Sequence, residues 1–280
     1  MKKSSVTLVP YGGLANRMRA VDALIGLMRD TDIKASVIWF QDNGLNCSFE
    51  QLFHPLDIPR LTWRNARPAD YILHDRPRKK NFFIPKFFEG IRFNSCLHED
   101  EVTQRFFAHF DFRAWVQSHR RCYLSACFQF YPGDLQNPFA SFVPVPALQE
   151  QIDERCLDFS DYTVGIHIRR TDNVVSIRES PTELFIRRMQ EEIQHHPDVR
   201  FYVASDSVQE KRTLSGIFGD RIITASQPVS RSTVEGMQDA VVELYTLSRT
   251  QKIIGSHYSS FSEIAAEIGK ISYEKIIRGS

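Results

Sequence analysis

Apolar and polar residues along this chain follow two periods, one typical of buried strands and one typical of amphipathic helices. The apolar run Val6–Pro10 is followed by two glycines, and helical spacing of apolar residues then extends from Asn16 to about Arg29. Ala35–Phe40 is a second apolar run. A strand, a glycine turn, a helix and another strand in this order predict a parallel α/β layer.

The second half of the chain alternates strand and helix patterns almost without interruption. Continuous apolar character predicts buried parallel strands, which are Tyr162–Ile168, Arg200–Ala204, Arg221–Thr224 and Lys252–Gly255. Apolar spacing and capping patterns predict the helices, which are Ala147–Cys156, Pro181 to about His195, Val208–Phe218, Ser232 to about Ser248, and Ser260–Ile268.

Two domains are predicted, because a proline-rich segment separates the two sets of elements. Pro132–Pro146 contains four prolines in fifteen residues and has no helical period, which is typical of a linker. We therefore expect residues 1–141 and 142–280 to form two Rossmann-like α/β layers that face each other across a cleft. Between residues 43 and 111 the pattern is too weak to assign elements, and Arg121–Tyr131 is predicted to be a further strand.

Charge and cysteine content narrow the possible partners and compartments. The formal net charge of +1 gives no global electrostatic attraction to nucleic acid or to an anionic membrane. Five cysteines are scattered without CxxC spacing, which favours reduced thiols over a zinc ribbon or a disulfide framework. The first apolar run is too short for a signal peptide, and no stretch approaches the ~20 apolar residues of a membrane span. We expect a soluble, cytoplasmic protein.

Two adjacent arginines follow the predicted strand Tyr162–Ile168. Arginine binds phosphate through two parallel hydrogen bonds, so Arg169 and Arg170 predict a site for a dianionic group such as a pyrophosphate. Strand alternation places His167 and Arg169 on one face and Arg170 on the other. One arginine can then contact the ligand while a carboxylate, which we take to be Asp172, holds its neighbour. The alternatives are two solvated arginines and a His167 buried in the core.

A glycine turn before the first helix is a second candidate anion site. Gly12 and Gly13 allow close approach of the backbone, and the N–H groups of the following helix favour an anion. Gly13 and Asn16 are therefore candidate substrate contacts. Neither GxGxxG nor GxxxxGK(S/T) is present, which argues against dinucleotide and Walker-type sites. The alternative is a plain tight turn in which Asn16 caps the helix.

Polar residues also follow the other predicted strands, where open α/β sheets bind ligands. Asp206 lies between two serines after one strand, and Ser259 and Ser260 lie at the start of the last helix, where hydroxyl and N–H groups can hold phosphate. Glu243 interrupts an apolar stretch of helix and could accept N–H groups from a guanine edge. The alternatives are helix capping by Asp206 or Ser207 and an exposed, helical Glu243.

Taken together, these motifs resemble those of the fucosyltransferases of the GT-B architecture. The likeness is greatest to the α1,6-fucosyltransferases of N-glycan cores and the bacterial nodulation fucosyltransferases, and more distant to the protein O-fucosyltransferases. It covers Val164–Gly269 well and the first 30 residues moderately, whereas residues 43–120 show almost none. The motifs that carry it are Gly12–Arg17, Val164–Asp172, Tyr202–Asp206, Glu243–Ser248 and Gly255–Phe261.

The resemblance implies a GT-B-like fold and an inverting, metal-independent glycosyltransferase that transfers fucose from GDP-fucose to a glycan acceptor. The first domain would hold the acceptor and the second the donor. By this resemblance, Arg169 would bind the pyrophosphate, and Arg170 and Asp172 would support its loop. His167 and Glu243 would contact guanosine, with Asp206 beside the base pocket. Ser259 and Ser260 would lie near the phosphates.

Some features of the reaction stay open at the level of the sequence. Asp172, Glu179 and Glu183 are candidate general bases for the acceptor hydroxyl. The α1,6 enzymes carry a lysine and a glutamine where this chain has Asn173 and Phe261, and an aspartate in place of Glu243. Two alternatives remain, namely the same scaffold with another nucleotide sugar, and a non-catalytic protein that binds a sugar nucleotide or a glycan.

No metal site and no cofactor are predicted. Asp30 and Asp32 match the DxD pattern of metal-dependent glycosyltransferases, but they lie between a helix and the start of a strand. That position is the edge opposite the carboxyl ends of the strands, where ligands bind. His195 and His196 lie at a helix end, where interaction with the helix dipole explains them.

Overall fold

The computed structural model describes residues 4–74, 83–171, 173–225 and 230–279. The chain divides into two compact units, Met1–Val143 and Pro144–Ser280. In its described residues each unit contains a five-stranded sheet in which every paired strand runs parallel to its neighbours. Among the described helices, none combines the length and the apolar character that crossing a bilayer requires.

The first unit has the strand order β3-β2-β1-β5-β4. Its strands are β1 Ser5–Pro10, β2 Lys34–Trp39, β3 Leu61–Asn65, β4 Ser95–Leu97 and β5 Arg121–Ala126. Its helices are α1 Leu14–Arg29, α2 Asp70–Leu73, α3 Phe83–Arg92, α4 Glu99–Phe107 and α5 Phe112–Ser118. Residues 43–111, where the sequence pattern predicted no elements, thus supply two strands and three complete helices, and the predicted strand Arg121–Tyr131 ends at Ala126.

The strand β1 lies at the centre of the first sheet, and α1 packs against it. Leu8 and Val9 are fully buried, as are Met18, Val21 and Leu24 on the helix. These residues of the predicted helical face are therefore in the core, and most other positions of α1 are buried as well. The helix begins at Leu14 with Gly13 at its N-cap, so the alternative in which Asn16 caps the helix is wrong.

The second unit has the strand order β10-β9-β6-β7-β8, with β6 at the centre. Its strands are β6 Thr163–Ile168, β7 Arg200–Ser205, β8 Ile222–Ile223, β9 Lys252–Ser256 and β10 Ser272–Ile276. Its helices are α6 Pro146–Cys156, α7 Val174–Glu179, α8 Thr182–His195, α9 Val208–Phe218, α10 Val234–Leu247 and α11 Ser260–Gly269. Every residue of β6 is buried, which explains its continuous apolar pattern.

The second unit follows the sequence prediction more closely than the first, with local differences. The elements α7 and β10 were not predicted, and the strand predicted over Arg221–Thr224 is limited to two residues. The helix α10 is capped by Thr233, whose hydroxyl accepts a hydrogen bond from Gly236 N at 3.1 Å, and not by Ser232. The helix α7 has only six residues, VVSIRE, which is too short a stretch to show a helical period in the sequence.

Candidate functional site

The carboxyl ends of β6, β7 and β9 bring three of the predicted motifs together in the second unit. These strands are neighbours and parallel, so the loops that follow them lie at one edge of the sheet. The Arg169 N–H donates to Ser256 Oγ at 3.1 Å, and the Arg170 N–H donates to Asp206 Oδ1 at 2.7 Å. Side chains from both flanking strands therefore fix the backbone of the arginine pair.

The Asp206 carboxylate holds the loop after β6. In addition to its contact with Arg170, its Oδ2 accepts from the Thr171 N–H at 3.2 Å and from the Thr171 hydroxyl at 2.7 Å. The helix α9 is capped by Ser207, whose hydroxyl accepts from Glu210 N at 3.3 Å. Asp206 is therefore a positioning residue for the arginine loop, and Ser207 has the capping role that the sequence allowed.

The guanidinium of Arg170 is held entirely by protein groups. Its Nε donates to Glu210 Oε1 at 2.8 Å, its Nη2 donates to Thr182 Oγ1 at 3.0 Å, and its Nη1 donates to the Arg169 carbonyl at 2.9 Å. The sequence assigned the carboxylate partner to Asp172, which lies outside the described residues. In the described part of the chain, Glu210 supplies that carboxylate.

Arg169 lies on the opposite face of the strand end from Arg170 and is half-buried. Its backbone is fixed through Ser256, which is fully buried. The loop therefore presents one arginine whose backbone is rigid beside a second arginine that serves the scaffold. This division of the pair follows from strand alternation.

His167 is buried beneath the start of α11. Its Nδ1 lies 3.3 Å from both the Ser259 and the Ser262 hydroxyl oxygens, and its ring stacks on Phe261 with the centroids 5.0 Å apart. Burial, reinforced by the charge of Arg169, lowers the pKa of His167 to about 3. The imidazole is therefore neutral at physiological pH, and its contacts are those of a packed core histidine that supports the helix start.

The start of α11 places serine side chains directly after β9. Ser259 is the N-cap residue and is 1% exposed, and Ser260 is the first helical residue and is half-buried. N–H groups in the first turn of a helix lack intrahelical acceptors, and the helix dipole adds partial positive charge there. This turn therefore has the chemistry of an anion site next to Ser256.

Glu243 is buried and paired with a lysine. It is 3% exposed, and Lys211 Nζ donates to its Oε1 at 2.7 Å and to the Ala225 carbonyl at 3.3 Å. Burial raises the pKa of Glu243 to about 7, although the Lys211 charge opposes this rise. The alternative of an exposed helical glutamate is therefore wrong.

Three further residues complete this edge: Ser256 belongs to the predicted motif Gly255–Phe261, whereas Glu210 and Lys211 belong to no predicted motif. Glu210 and Lys211 lie side by side in α9 and hold Arg170 and Glu243, respectively. Ser256 ends β9 and accepts from Arg169 N. Glu210 and Lys211 carry no specific sequence signal, because charged residues are ordinary in a helix.

In the first unit, the predicted glycine turn contains a buried arginine. Gly12 has a φ of +82°, and its carbonyl accepts from Arg17 Nε at 2.9 Å. Arg17 is fully buried, donates to the Phe40 carbonyl and pairs with Asp42 at 2.8 Å. Gly13 and Asn16 lie at the start of α1 after this turn, and Asn16 is half-buried. The hydrogen bonds of Arg17 thus hold the glycine turn in place. Both predicted substrate contacts, Gly13 and Asn16, lie at the start of the helix.

The two sequence patterns considered for metal have other contacts. Asp30 accepts from the Tyr131 hydroxyl at 2.8 Å, and Asp32 accepts from Arg60 Nη1 at 3.0 Å. The His195 ring lies 2.7 Å from the Glu191 carbonyl in the last turn of α8. Hydrogen bonds within the first unit and at the helix end therefore account for these residues.

Comparison with known proteins finds similarity at the level of the fold. No protein-family model and no curated protein matches the chain. The solved NodZ α1,6-fucosyltransferase from Bradyrhizobium, soaked with GDP-fucose, aligns with a TM-score of 0.64 at 17% identity, over 95% of this chain and 93% of its own.

Two further solved structures show the same similarity. A mutant of FUT1 from Arabidopsis thaliana in complex with GDP aligns with a TM-score of 0.64 at 14% identity, over 99% of this chain and 71% of its own. POFUT1 in complex with GDP aligns with a TM-score of 0.55 at 11% identity, over 99% of both chains. The chain therefore has a GT-B fucosyltransferase-like fold, and the predicted α/β class with two Rossmann-like sheets is confirmed.

Proposed function

We propose that the protein is a glycosyltransferase that transfers fucose from GDP-fucose to a glycan acceptor. The observation that carries this proposal is the arrangement of Arg169, Ser256 and the start of α11 at one edge of the second sheet. Such an edge is where open α/β sheets bind nucleotides, and proteins of the same fold have been crystallised with GDP or GDP-fucose. Residues 142–280 would bind the donor and residues 1–141 the acceptor.

Positive charge on the protein would replace a metal ion in this reaction. Arg169 and the N–H groups at the start of α11, beside Ser259 and Ser260, would stabilise the diphosphate as its bond to the sugar breaks. Arg170 contributes indirectly, because Glu210 and Thr182 fix its guanidinium. The Glu243 carboxylate, held by Lys211, would accept hydrogen bonds from the N–H groups of guanine. His167 and Asp206 would position the surrounding loops.

On the acceptor side, we propose roles for the start of α1 and for Asp172. Gly13 and Asn16, at the start of α1, are proposed acceptor-side or substrate contacts. Asp172 is the proposed general base, which would remove the proton of the acceptor hydroxyl as that oxygen attacks the sugar. Attack on the face opposite the departing GDP inverts the anomeric carbon.

Calorimetry with GDP tests the donor site directly. We expect the wild-type protein to bind GDP and Arg169→Ala to bind about 100-fold or more weakly, because two charge-assisted hydrogen bonds of about 1.5–3 kcal/mol each would be lost. Arg212→Ala is the matched control, since Arg212 is an exposed arginine on α9. Absence of GDP binding by the wild-type protein would contradict the proposal.

A donor panel separates the proposed activity from its alternatives. GDP-fucose, GDP-mannose and the UDP and CMP sugars are each incubated with a mixture of glycan acceptors, with and without added Mg²⁺ or Mn²⁺. Fucose transfer at a rate independent of the added ions supports the proposal, and NMR of the product's anomeric proton tests inversion. Transfer of another sugar supports a different donor, and GDP binding without turnover supports a binding protein.

We also propose a cytoplasmic location. No disulfide links the five cysteines, all of which lie in the described residues, and reduced thiols are typical of the cytosol. Cell fractionation followed by immunoblotting would test this location.

A further inference from the structure

A group of three potential metal ligands lies in the first unit, whereas the residues assigned to the donor belong to the second unit. Glu89 in α3, Cys96 in β4 and His98 before α4 each offer one potential ligand atom, and these atoms all lie within 4.8 Å of one another. His98 Nε2 is 3.2 Å from Glu89 Oε2. The proposed glycosyl transfer uses none of the three.

The combination of potential metal ligands in this cluster is typical of a zinc site. A thiolate sulfur, an imidazole nitrogen and a carboxylate oxygen are all zinc ligands, whereas Mg²⁺ and Ca²⁺ select oxygen atoms. In a tetrahedral zinc site, bonds of about 2.0–2.3 Å place the ligand atoms about 3.3–3.8 Å apart. The observed spacing is close enough for small side-chain rotations to bring the three atoms around one ion.

Regular elements hold these ligands in place. Cys96 lies within β4, opposite Tyr123 of β5. His98 is the N-cap residue of α4, and its N–H donates to the Glu101 carboxylate at 3.1 Å. The ring of Tyr123 packs against His98, with the centroids 5.3 Å apart. A ligand set supported by a strand, a helix start and a packed aromatic ring loses little conformational freedom on binding a metal.

Burial of the Glu89 side chain favours the binding of a cation in this cluster. Glu89 is 5% exposed, and a buried carboxylate is costly unless positive charge compensates it. A metal ion bound here would place positive charge beside the buried carboxylate and displace the thiol proton of Cys96.

We propose that Glu89, Cys96 and His98 bind one Zn²⁺ ion, with a water molecule in the fourth coordination position. On binding, the S–H bond of Cys96 breaks, the Zn–S bond forms, and the proton passes to solvent. The site would tie α3, β4 and the start of α4 together. It is independent of the proposed function, because none of its ligands has a role in the proposed transfer and metal binding is its readout.

Cobalt titration of the full chain tests the site, since Co²⁺ reports on thiolate ligation by its absorption spectrum. The protein is treated with a chelator, dialysed and titrated with Co²⁺. We expect a thiolate-to-metal charge-transfer band, with visible bands of the intensity typical of four-coordinate cobalt, at one equivalent per chain. Added Zn²⁺ should abolish these bands.

Matched variants assign the ligands. Cys96→Ser should lose the charge-transfer band, whereas Cys156→Ser, which changes a half-buried cysteine of the second unit, should retain it. Glu89→Gln and His98→Gln should weaken Zn²⁺ binding by about 100-fold or more, since even outer-shell changes cost about 10–100-fold. Far-ultraviolet circular dichroism checks that each variant is folded, and Glu89→Gln serves if Cys96→Ser does not fold. A wild-type spectrum without the band, or a band that persists in Cys96→Ser, would overturn the proposal.

Discussion

The carboxylate of Asp206 uses both of its oxygens to fix the backbone of Arg170 and Thr171. We expect Asp206→Asn to speed hydrogen exchange at these two amides in the GDP-free protein. GDP binding should weaken by about tenfold or more, because one charge-assisted hydrogen bond is worth about 1.5–3 kcal/mol. NMR exchange and calorimetry measure the two effects. Asp198→Asn, at an exposed aspartate before β7, is the control, and unchanged exchange at both amides would contradict this role.

Glu243 predicts a pH dependence of stability with a defined sign. Burial raises its pKa from 4.5 to about 7 in the folded chain. A carboxyl group whose pKa is higher in the folded than in the unfolded chain favours folding in its protonated form. Its contribution to the free energy of unfolding is therefore complete below its unfolded pKa of 4.5 and is lost as the pH rises through about 7.

The variant Glu243→Gln isolates this effect, because glutamine does not titrate. Urea unfolding at about pH 5 and about pH 8 gives the free energy of unfolding of each protein. The stability of the wild type relative to the variant should fall between the lower and the higher pH. Glu235→Gln, at an exposed glutamate in the first turn of α10, should show no such change. A pH-independent difference for Glu243→Gln would be evidence against the buried, raised-pKa carboxyl.

At the scale of elements, the approach of β9 to α11 and β10 depends on a glycine. A Cβ atom at Gly255 would lie 2.7 Å from both Ser262 Oγ and Tyr273 Cε2, so Gly255→Ala should destabilise the protein by about 1–3 kcal/mol through overpacking. Gly216 in α9 has no atom within 4 Å of its Cβ position, and Gly216→Ala should stabilise the helix by about 0.5–1 kcal/mol. Urea unfolding measures both, and equal effects would contradict the packing argument.

Connections between elements also explain why Arg170 belongs to the scaffold. Its guanidinium bridges the end of β6 to Thr182 at the start of α8 and to Glu210 in the first turn of α9. The glutamate is 40 residues away in sequence. Loss of the Arg170 side chain would therefore affect contacts among three elements. Loss of the Arg169 side chain would instead affect the proposed contact with the ligand.

At the scale of the whole chain, GDP binding should protect one edge of the second sheet. Hydrogen exchange followed by mass spectrometry should slow in peptides that cover residues 168–171, 205–207 and 256–262, because these loops would contact or position the nucleotide. Residues 157–161 precede β6 at the opposite edge and should be unaffected. Protection should be absent in Arg169→Ala. Equal protection at both edges would contradict a local donor site.

Different parts of the chain were predictable from sequence to different degrees. Long apolar periods, as in α1 and β6, gave correct elements because burial alone sets their pattern. Gly13, Thr233 and Ser259 are the observed N-caps of three helices. Each differs by one or more residues from the helix start considered in the sequence, because several neighbouring residues could each serve as N-cap. The elements between residues 43 and 111 are short and are stabilised by aromatic contacts such as Trp39–Trp63, which no local pattern encodes.

The candidate site shows the same division. Its position at strand ends and its arginine pair could be predicted, since parallel strands place their carboxyl ends together. The partners of these residues could not, because Glu210, Lys211 and Ser256 are ordinary polar residues until the fold brings them to Arg170, Glu243 and Arg169. The zinc ligands likewise come from three separate elements.

The sequence by itself determined the α/β class, the central parallel strands of both sheets and the loops of the candidate site, because hydrophobic periodicity and turn residues are local properties. Only the tertiary structure decided which side chain each polar group contacts. It turned Asp206 and Arg170 into supports for the arginine loop, buried Glu243 against Lys211, and assembled Glu89, Cys96 and His98. Hydrogen bonds and ion pairs between distant residues depend on three-dimensional proximity, which only the folded chain creates.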